Sequence, residues 1–438
     1  MLNCSHLLDI SYIMWYYSSV ISCYYTKVNY KKKGADKVKR YDLLTPEGTR
    51  DLLFDECVAK RIIEDRIRKL FTDYGYSEVV TPGLEFYDVF NGKVRYFPQE
   101  TMYKLVDGKN RMMVLRPDST MPIARLVATR LREEPLPLKL FYNQSIFMVN
   151  PKNSGRDDEF SQSGIEILGG SSRAADFEAL VLAAQTLSAC DDDNSDGFIL
   201  EIGESGIFRL LIAELNVDED ESEKIQALIE TKNYPALNDA LADYSGAAAD
   251  ALRALPTLFG NEEVFAQAEK YMITSELKEK LNSLHEIYSA LSSAGISEVK
   301  VDLGLVHKKN YYTGIIFRGY VEGYGLPVLS GGRYDTLIGD FGRSVPAVGF
   351  AVNVEAAAKV LLKNSDTELR CPPDVLVYAE SGAEVDGLRH CAELIRQGST
   401  VYNSVFDSFE AAESYAKSRG ISRIVTVACG GAVTSKEI

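Results

Sequence analysis

The sequence is poor in the residue types that hold metal ions. Its 438 residues include only 4 histidines, and its 7 cysteines lie far apart, with no Cys-x-x-Cys pair and no zinc-site spacing to the histidines. A zinc site and a disulfide framework are therefore not indicated. Scattered thiols are typical of small apolar filler in a reducing compartment. We expect no metal, no cofactor and a cytoplasmic location.

Positive charge is also scarce. The chain has 48 Lys and Arg residues against 63 Asp and Glu residues, which gives a formal net charge of -15. Such a surface repels polyanions on average, so we expect no nucleic-acid partner, although a local basic groove is compatible with this balance. The pairs Gly169-Gly170 and Gly430-Gly431 stand outside the G-x-x-x-x-G-K-[ST] frame of a phosphate-binding loop, and we interpret them as turns.

The beginning of the chain does not have the pattern of a globular domain. Residues 7–25 are rich in Ile, Leu, Tyr and Trp, but they include Asp9 and follow no basic stretch, so they make a poor signal peptide. Three consecutive lysines come after them, as basic residues follow a membrane anchor, and that alternative stays open. We expect residues 1–40 to be an extension outside the fold and expect no membrane partner.

The rest of the chain has the length and composition of two or three folded domains, with 46% hydrophobic and 25% charged residues. Apolar spacing predicts helices at 56–74 and 176–188, and residues 77–81 predict a strand that Pro82 ends. Residues 205–295 predict a helical insertion in a largely antiparallel sheet. The other predicted strands of this region are 101–106, 111–115, 138–149, 160–168, 198–202, 299–303, 311–320 and 347–352.

The last part of the chain alternates strands with helices. A polar stretch at 364–373, which ends in two prolines, predicts a linker. Beyond it we predict a small α/β domain that ends soon after its third strand. Its predicted elements are strands 375–378, 400–401 and 424–427 and helices 388–396 and 409–419.

Four short motifs follow one another in a fixed order. They are Leu115-Arg116-Pro117-Asp118-Ser119-Thr120, Ser161-Gln162-Ser163-Gly164-Ile165-Glu166, Tyr311-Tyr312-Thr313-Gly314 and Gly331-Gly332-Arg333-Tyr334-Asp335. Together they resemble the signature of histidyl-tRNA synthetases and their paralogues. The resemblance implies an α+β, class II synthetase-like fold over 41–363. In that fold a six- or seven-stranded antiparallel sheet is flanked by helices, and residues 56–82 form a dimer interface. Residues 371–438 then resemble an abbreviated anticodon-binding domain.

The same resemblance implies a pocket for histidine. The matching residues are, for the amino group, Asp118, Thr120 and Gln162 and, for the imidazole ring and its surroundings, Glu166, Tyr312 and Tyr311. Each residue alone is compatible with an ordinary polar position on a strand. The whole set favours histidine binding, because a buried donor of the ligand left unpaired costs about 1–3 kcal/mol.

Three departures separate this chain from relatives that activate histidine with ATP. Where those relatives have arginines, this chain has Met148, Ala356 and His307. Methionine and alanine carry no charge, and a neutral imidazole is a poor substitute for a guanidinium group. Because loss of one such donor typically costs about 10² to 10³ in rate, we expect no catalytic residues and no synthetase activity.

Among the paralogues, the chain most resembles the regulatory subunits of ATP phosphoribosyltransferase, and its residues 41–51 are similar to the start of that family. The resemblance implies a non-catalytic homodimer in a hetero-oligomer with the short-form ATP phosphoribosyltransferase catalytic subunit. It also implies L-histidine as the effector of feedback inhibition in histidine biosynthesis. A true histidyl-tRNA synthetase, and a degenerate histidine-binding module with another partner, stay open as alternatives.

Overall fold

The computed structural model describes residues 40–91, 97–150, 157–190, 197–306, 312–364 and 369–438. The chain divides into two compact units, Met1–Pro46 and Glu47–Ile438. In the first, the described residues form a 3-10 turn at Tyr41–Leu43, and the guanidinium of Arg40 pairs with the carboxylate of Asp42 at 2.5 Å. The predictions for residues 1–39 lie outside the described residues.

The helices and strands of the second unit are numbered in chain order. The helices are α1 (Asp55–Asp73), α2 (Thr120–Ala128), α3 (Arg173–Ala189), α4 (Ser205–Leu215), α5 (Glu219–Glu230), α6 (Tyr234–Ala240), α7 (Ala247–Ala254), α8 (Glu263–Ala268), α9 (Ser275–Ser293), α10 (Val354–Asn364), α11 (Glu384–Arg396) and α12 (Phe409–Ser418). The strands are β1 (Ser77–Glu78), β2 (Leu84–Phe86), β3 (Lys104–Val106), β4 (Met112–Leu115), β5 (Leu138–Phe147), β6 (Glu159–Leu168), β7 (Phe198–Glu204), β8 (Phe259–Gly260), β9 (Val299–Asp302), β10 (Ile315–Val321), β11 (Leu329–Arg333), β12 (Ala347–Asn353), β13 (Val375–Ala379), β14 (Val401–Asn403), β15 (Arg423–Val427) and β16 (Val433–Glu437).

The main sheet has the strand order β1-β5-β6-β12-β11-β10-β7-β9-β8. Its six central strands, from β5 to β7, pair antiparallel. β1 joins β5 in parallel, and β9 joins β7 in parallel. The implied six- or seven-stranded antiparallel sheet is thus present as the six central strands, and within the described residues short edge strands extend it at both ends to nine strands of mixed direction.

The helical insertion between β7 and β9 contains helices α4 to α9, as its periodicity predicts. It also contains β8, two residues that pair antiparallel with β9, which the sequence did not predict. The insertion thus supplies one edge of the main sheet. None of the helices in the described residues combines the length and hydrophobicity that crossing a membrane requires.

Helix α1 shows why this sequence folds as predicted. Ala59, Ile63, Ile67 and Phe71 recur at intervals of four, so they lie on one helical face, and all are buried. Gly75 follows with a φ of +80°, a left-handed conformation that glycine adopts readily, and ends the helix. The buried face packs in the large core on one side of the main sheet.

The main sheet separates two cores because alternate residues of a strand point to opposite faces. On β6, Ile165 and Ile167 face the large core that contains α1 and α3. Leu168 belongs to the second core, which includes residues of α2 and the aromatic side chains of Tyr142, Tyr312 and Tyr334. By the same alternation Gln162, Gly164 and Glu166 lie on the second face. The candidate site is on this side of the sheet.

The C-terminal part forms a separate sheet in the order β14-β13-β15-β16. β13 pairs in parallel with β14 and β15, and helices α11 and α12 connect these strands. The prediction of only three strands is wrong. β16 adds a fourth, antiparallel to β15, and all five of its residues are exposed, so it lacks the apolar alternation that marks a half-buried strand.

Candidate functional site

Glu166 lies at the centre of the candidate site, in the middle of the main sheet. It is paired with Leu140 on β5 and with Gly349 on β12, and its side chain is 1% exposed. The hydroxyl of Thr120 donates a hydrogen bond of 2.9 Å to Oε1. The hydroxyl of Tyr334 donates a second one to Oε2. Two hydroxyl groups from distant elements therefore hold this buried carboxylate.

Buried tyrosines surround the carboxylate. Burial and the nearby charge of Glu166 raise the pKa of Tyr334 well above its ordinary value, so its hydroxyl keeps its proton and remains a donor. Burial, followed by the charges of Glu166 and Asp118, has the same effect on the pKa of Tyr142. The site is thus acidic and aromatic, with phenol groups that stay neutral.

Glycines on neighbouring strands make room for these side chains. A Cβ atom on Gly349 would lie 2.0 Å from Oε2 of Glu166. A Cβ atom on Gly332, which pairs with Gly349 across β11 and β12, would lie 2.7 Å from the ring of Tyr312. Any larger residue at these positions displaces the carboxylate or the ring, since real Cβ atoms do not approach so closely.

Asp118 has a structural role at the start of α2. Its Oδ1 accepts the backbone N–H groups of Thr120 at 2.9 Å and of Met121 at 3.2 Å. These are the first residues of the helix, whose N–H groups have no partner within the helix itself. Asp118 thereby fixes the position of Thr120 and its hydroxyl. The predicted contact of Asp118 with a ligand's amino group stays a prediction.

Gln162 is the predicted site residue with an unmet hydrogen-bonding need. Its Oε1 atom is buried and has no hydrogen-bond partner among the described residues. Gln162 pairs with Gln144 on β5 and with Asn353 on β12, four residues before Glu166 on the same strand and therefore on the same face. A buried acceptor in this state costs about 1–3 kcal/mol unless a donor reaches it.

The two predicted tyrosines differ in what the structure describes. Tyr312 is 8% exposed, its ring packs over Gly332, and its carbonyl accepts a hydrogen bond of 3.2 Å from the hydroxyl of Ser205. Tyr311 lies outside the described residues, and so does His307. Thr120, Glu166 and Tyr312 therefore lie on the same side of the main sheet. Gln162 lies on the same strand as Glu166.

The described residues contain no group of three or more His, Cys, Asp or Glu side chains arranged to hold a metal ion. Acceptors and an anionic group suit a ligand that carries several N–H donors.

Known proteins resemble this chain over most of its length. A family model of histidyl-tRNA synthetase matches residues 48–357. The ATP phosphoribosyltransferase regulatory subunit of Clostridium kluyveri is 38% identical over 381 residues, which are 86% of this chain and 97% of that protein. This chain belongs to the family of ATP phosphoribosyltransferase regulatory subunits.

Two further relatives of this family agree. The ATP phosphoribosyltransferase regulatory subunit of Acetivibrio thermocellus is 39% identical over 394 residues, 88% of this chain and 93% of that protein. A crystal structure of an ATP phosphoribosyltransferase regulatory subunit/histidyl-tRNA synthetase from Bacillus halodurans matches with a TM-score of 0.75 and 26% identity. The match covers 88% of this chain and 98% of the Bacillus halodurans chain. The predicted family and the class II synthetase-like fold are confirmed.

In this member of the regulatory subunit family, two positions that differ from the synthetase pattern have distinct environments. Ala356 is 1% exposed and belongs to the large core. Met148 is half-buried, and its backbone N–H donates to the carbonyl of Asp158 at 2.8 Å. Thr313 follows Tyr312 in the sequence, and its carbonyl accepts a hydrogen bond of 2.9 Å from the guanidinium of Arg209.

The two arginines of the family motifs serve the fold. The guanidinium of Arg116 donates to the carbonyls of Thr81, Pro82 and Ser145 at 2.6 to 2.9 Å, and burial lowers its pKa. Arg333 pairs with Asp176 on α3 at 2.7 Å and with Asp335 at 3.0 Å. Both groups therefore have acceptors within the protein.

Sequence reasoning missed Tyr334 as the second residue that holds Glu166. The two are separated by 168 positions in the chain, so no local pattern connects them. A usable signal was present, because Tyr334 stands in the motif Gly331-Gly332-Arg333-Tyr334-Asp335 directly after a strand that lines the site. The roles of Gly349 and Gly332 depend on the strand register, which the sequence alone does not provide.

Proposed function

We propose that this chain is the regulatory subunit of an ATP phosphoribosyltransferase and that it binds L-histidine at the site on the second face of the sheet. The residues proposed to contact histidine are Asp118, Thr120, Gln162, Glu166, Tyr311 and Tyr312. The observation that carries the proposal is the buried Oε1 of Gln162, which has no partner among the described residues and lies on the same strand face as the carboxylate of Glu166.

Histidine has the chemistry that such a site requires. Its ammonium group and its imidazole N–H are donors, and the ammonium group is a cation. The carboxylate of Glu166 accepts the imidazole N–H, and such a charge-assisted hydrogen bond is roughly twice as strong as a neutral one. The oxygen of Gln162 accepts another donor and so relieves the cost of its burial. A triphosphate offers acceptors and negative charge, which the buried carboxylate opposes.

The proposed partner is an ATP phosphoribosyltransferase catalytic subunit, because the relatives from Clostridium kluyveri and Acetivibrio thermocellus are named regulatory subunits of that enzyme. We propose its short form, as the motif resemblance implies. The proposed assembly is a cytoplasmic hetero-oligomer that contains a homodimer of this chain, which has no catalytic activity alone. Histidine inhibits the assembly if it binds one of two arrangements more tightly than the other, since only differential affinity shifts an equilibrium.

The test is reconstitution. Purified chain is mixed with a short-form ATP phosphoribosyltransferase, and the rate is measured with and without L-histidine at about 1 mM. We expect the chain to raise the rate and histidine to lower it. A catalytic subunit whose rate is the same with and without this chain contradicts the regulatory role. Inhibition that persists when the chain carries Glu166→Gln places the histidine site elsewhere.

A histidyl-tRNA synthetase is the second candidate, because the family model that matches residues 48–357 bears that name. Histidine-dependent exchange between ATP and pyrophosphate separates the two candidates. The synthetase candidate requires turnover by this chain alone. The regulatory candidate requires none, together with heat on titration of histidine into the chain by calorimetry. Histidine binding without any effect on a phosphoribosyltransferase favours a histidine-binding module with another partner.

A further inference from the structure

Helix α11 has a wider apolar surface than its own sheet covers. It packs on the C-terminal sheet and buries Gly387, Cys391 and Leu394. Cys391 and Leu394 share a core with residues of β13 and β15. At about 100° per residue, the three buried positions fall within an arc of roughly 60°. This arc is the contact of the helix with the sheet.

The neighbouring arc of α11 is apolar and exposed. It holds Val385, Leu388, Ala392 and Ile395, here named the apolar stripe, within roughly 80° of the helix circumference. The three large side chains are 62%, 56% and 58% exposed, in that order, and Ala392 is also exposed. The spacing of three, four and three residues places one member on each successive turn, and no charged residue lies within the arc.

The apolar stripe is unusual within its own domain. Helix α12 packs on the same sheet, and none of its large apolar side chains is exposed. Isolated exposed apolar residues are ordinary on protein surfaces, but a contiguous row of them marks a contact surface. A row along one helix matches the surface that another helix covers.

The stripe also lies where a second helix has access. Cys391 lies at the edge of the buried arc that is nearer to the stripe, and its Sγ lies 3.6 Å from Oδ1 of Asn403 on β14. β14 is an edge strand of the C-terminal sheet. The stripe therefore faces the outer side of this edge, and the small side chain of Ala392 allows the close approach of 8 to 10 Å that is typical of packed helices.

We propose that the apolar stripe binds a second copy of this chain, with the two α11 helices packed antiparallel about a two-fold axis that crosses the stripe at the level of residue 390 along the helix. In this arrangement Val385 of one copy lies opposite Ile395 of the other, and Leu388 lies opposite Ala392. The first pair joins two β-branched side chains, and the second joins a large side chain to a small one. The stripe is thus complementary to itself, as a two-fold contact requires.

Charge favours the antiparallel direction. Glu384 borders the stripe at the first turn of α11 and Arg396 borders it at the last turn, whereas Asp386 lies on the far side of the helix and pairs with Arg389 at 2.8 Å. Antiparallel packing brings the acidic end of one helix to the basic end of the other and opposes the two helix dipoles. Parallel packing would bring the acidic ends together. The proposal does not depend on histidine binding, because the stripe lies on α11, which packs on the C-terminal sheet, and not at the proposed histidine site.

Residues 56–82 are expected to form a dimer contact of their own, so the step measured is the association beyond that contact, followed on the full chain by analytical ultracentrifugation over a dilution series. We expect Leu388→Lys to weaken it at least roughly tenfold relative to the wild type, because a cation would stand in the apolar contact. Glu393→Lys is the matched control, since it places the same residue on the charged arc of the same helix, and we expect wild-type association. Equal association of Leu388→Lys and the wild type overturns the proposal.

Disulfide cross-linking tests the direction. Cys4, Cys23, Cys57, Cys371 and Cys429 are changed to serine, which leaves the buried Cys190 and Cys391. In that background we expect the double variant Leu388→Cys/Ala392→Cys to form a linked dimer under mild oxidation. Each single variant is expected to form little. Efficient linkage by either single variant indicates parallel packing and overturns the antiparallel pair, as does a double variant that links no better than Glu393→Cys.

Discussion

The hydroxyl of Thr120, the first residue of α2, donates a hydrogen bond of 2.9 Å to Oε1 of Glu166 near the end of β6. The same residue gives its backbone N–H to Asp118, so the start of the helix is held on both sides. The carboxylate also stands near the positive end of the helix dipole, which favours its charge. We therefore expect a ligand that binds Glu166 to influence the position of α2.

Glu166→Gln is expected to weaken histidine binding at least roughly tenfold. The amide has nearly the same shape but no charge, and a hydrogen bond to a charged group contributes about 1.5–3 kcal/mol. Isothermal titration calorimetry measures the affinity, and thermal unfolding checks that the variant folds. Glu178→Gln is the matched control, because Glu178 binds Tyr76 and Lys139 away from this site. Unchanged affinity in Glu166→Gln contradicts the proposed role of the carboxylate.

Gly349→Ala is expected to lower the free energy of unfolding by about 1–3 kcal/mol, the usual cost of overpacking. Its Cβ atom would lie 2.0 Å from the carboxylate of Glu166, which must move. Histidine affinity should fall with it. Gly325→Ala is the control, since a Cβ atom there has no atom within 4 Å and the backbone is not left-handed. Urea unfolding measures both variants. Equal free energies of unfolding would contradict the prediction, because they would show that the site accommodates the added methyl group.

Glu204→Gln is expected to change how stability depends on pH. Burial, the largest influence, raises the pKa of Glu204, although Lys280 opposes it. The native state therefore holds this proton more tightly than the unfolded state. The resulting stabilisation is complete below the ordinary value of 4.5 and is lost as pH rises through the folded pKa. The amide does not titrate, so the free energy of unfolding of the variant should rise relative to that of the wild type as pH rises above 4.5.

Glu56→Gln provides the opposite sign for the same measurement. The hydrogen bond from Arg50 lowers the pKa of Glu56. Its contribution is present above 4.5 and is lost as pH falls through the folded pKa. The free energy of unfolding of the Glu56→Gln variant should therefore fall relative to that of the wild type as pH rises. Urea unfolding at several pH values gives both trends, and parallel trends for the two variants would contradict this assignment.

Local patterns in the sequence predict much of the fold. Helix α1 was predicted at 56–74 and occurs at Asp55–Asp73, because its apolar face repeats with the helical period. β16 was missed because its residues are all exposed and mostly polar, and pairing with β15 rather than burial makes it a strand. β8 was missed because two residues carry no periodicity, and its pairing with β9 defines it.

The candidate site was predictable only in part. The motif resemblance identifies Thr120 and Glu166 as site residues, and the structure joins them by a hydrogen bond. The sequence did not predict that Asp118 caps α2 or that Gly349 makes room for the carboxylate. Both depend on how distant elements are placed, and strand register and helix docking arise from the packing of the whole sheet.

Ala356→Arg is expected to destabilise the protein much more than Met148→Arg, although both restore an arginine of the synthetase pattern. Ala356 is 1% exposed in the large core, and its N–H donates to Oδ1 of Asn353 at 2.9 Å as α10 begins. A guanidinium there is a buried charge without a partner, which costs about 3–5 kcal/mol. Met148 is half-buried, so its arginine can reach water at a cost of about 1 kcal/mol.

Urea unfolding of the two single variants measures this difference, and Ala356→Val controls for added volume without charge. The core position also explains why the reversal should not create an enzyme. An arginine that unfolds the helix start at Val354 cannot also hold a phosphate beside Glu166. We therefore expect no histidine-dependent exchange between ATP and pyrophosphate from the double variant. If Ala356→Arg is as stable as Met148→Arg, the core accommodates the side chain and the predicted difference is wrong.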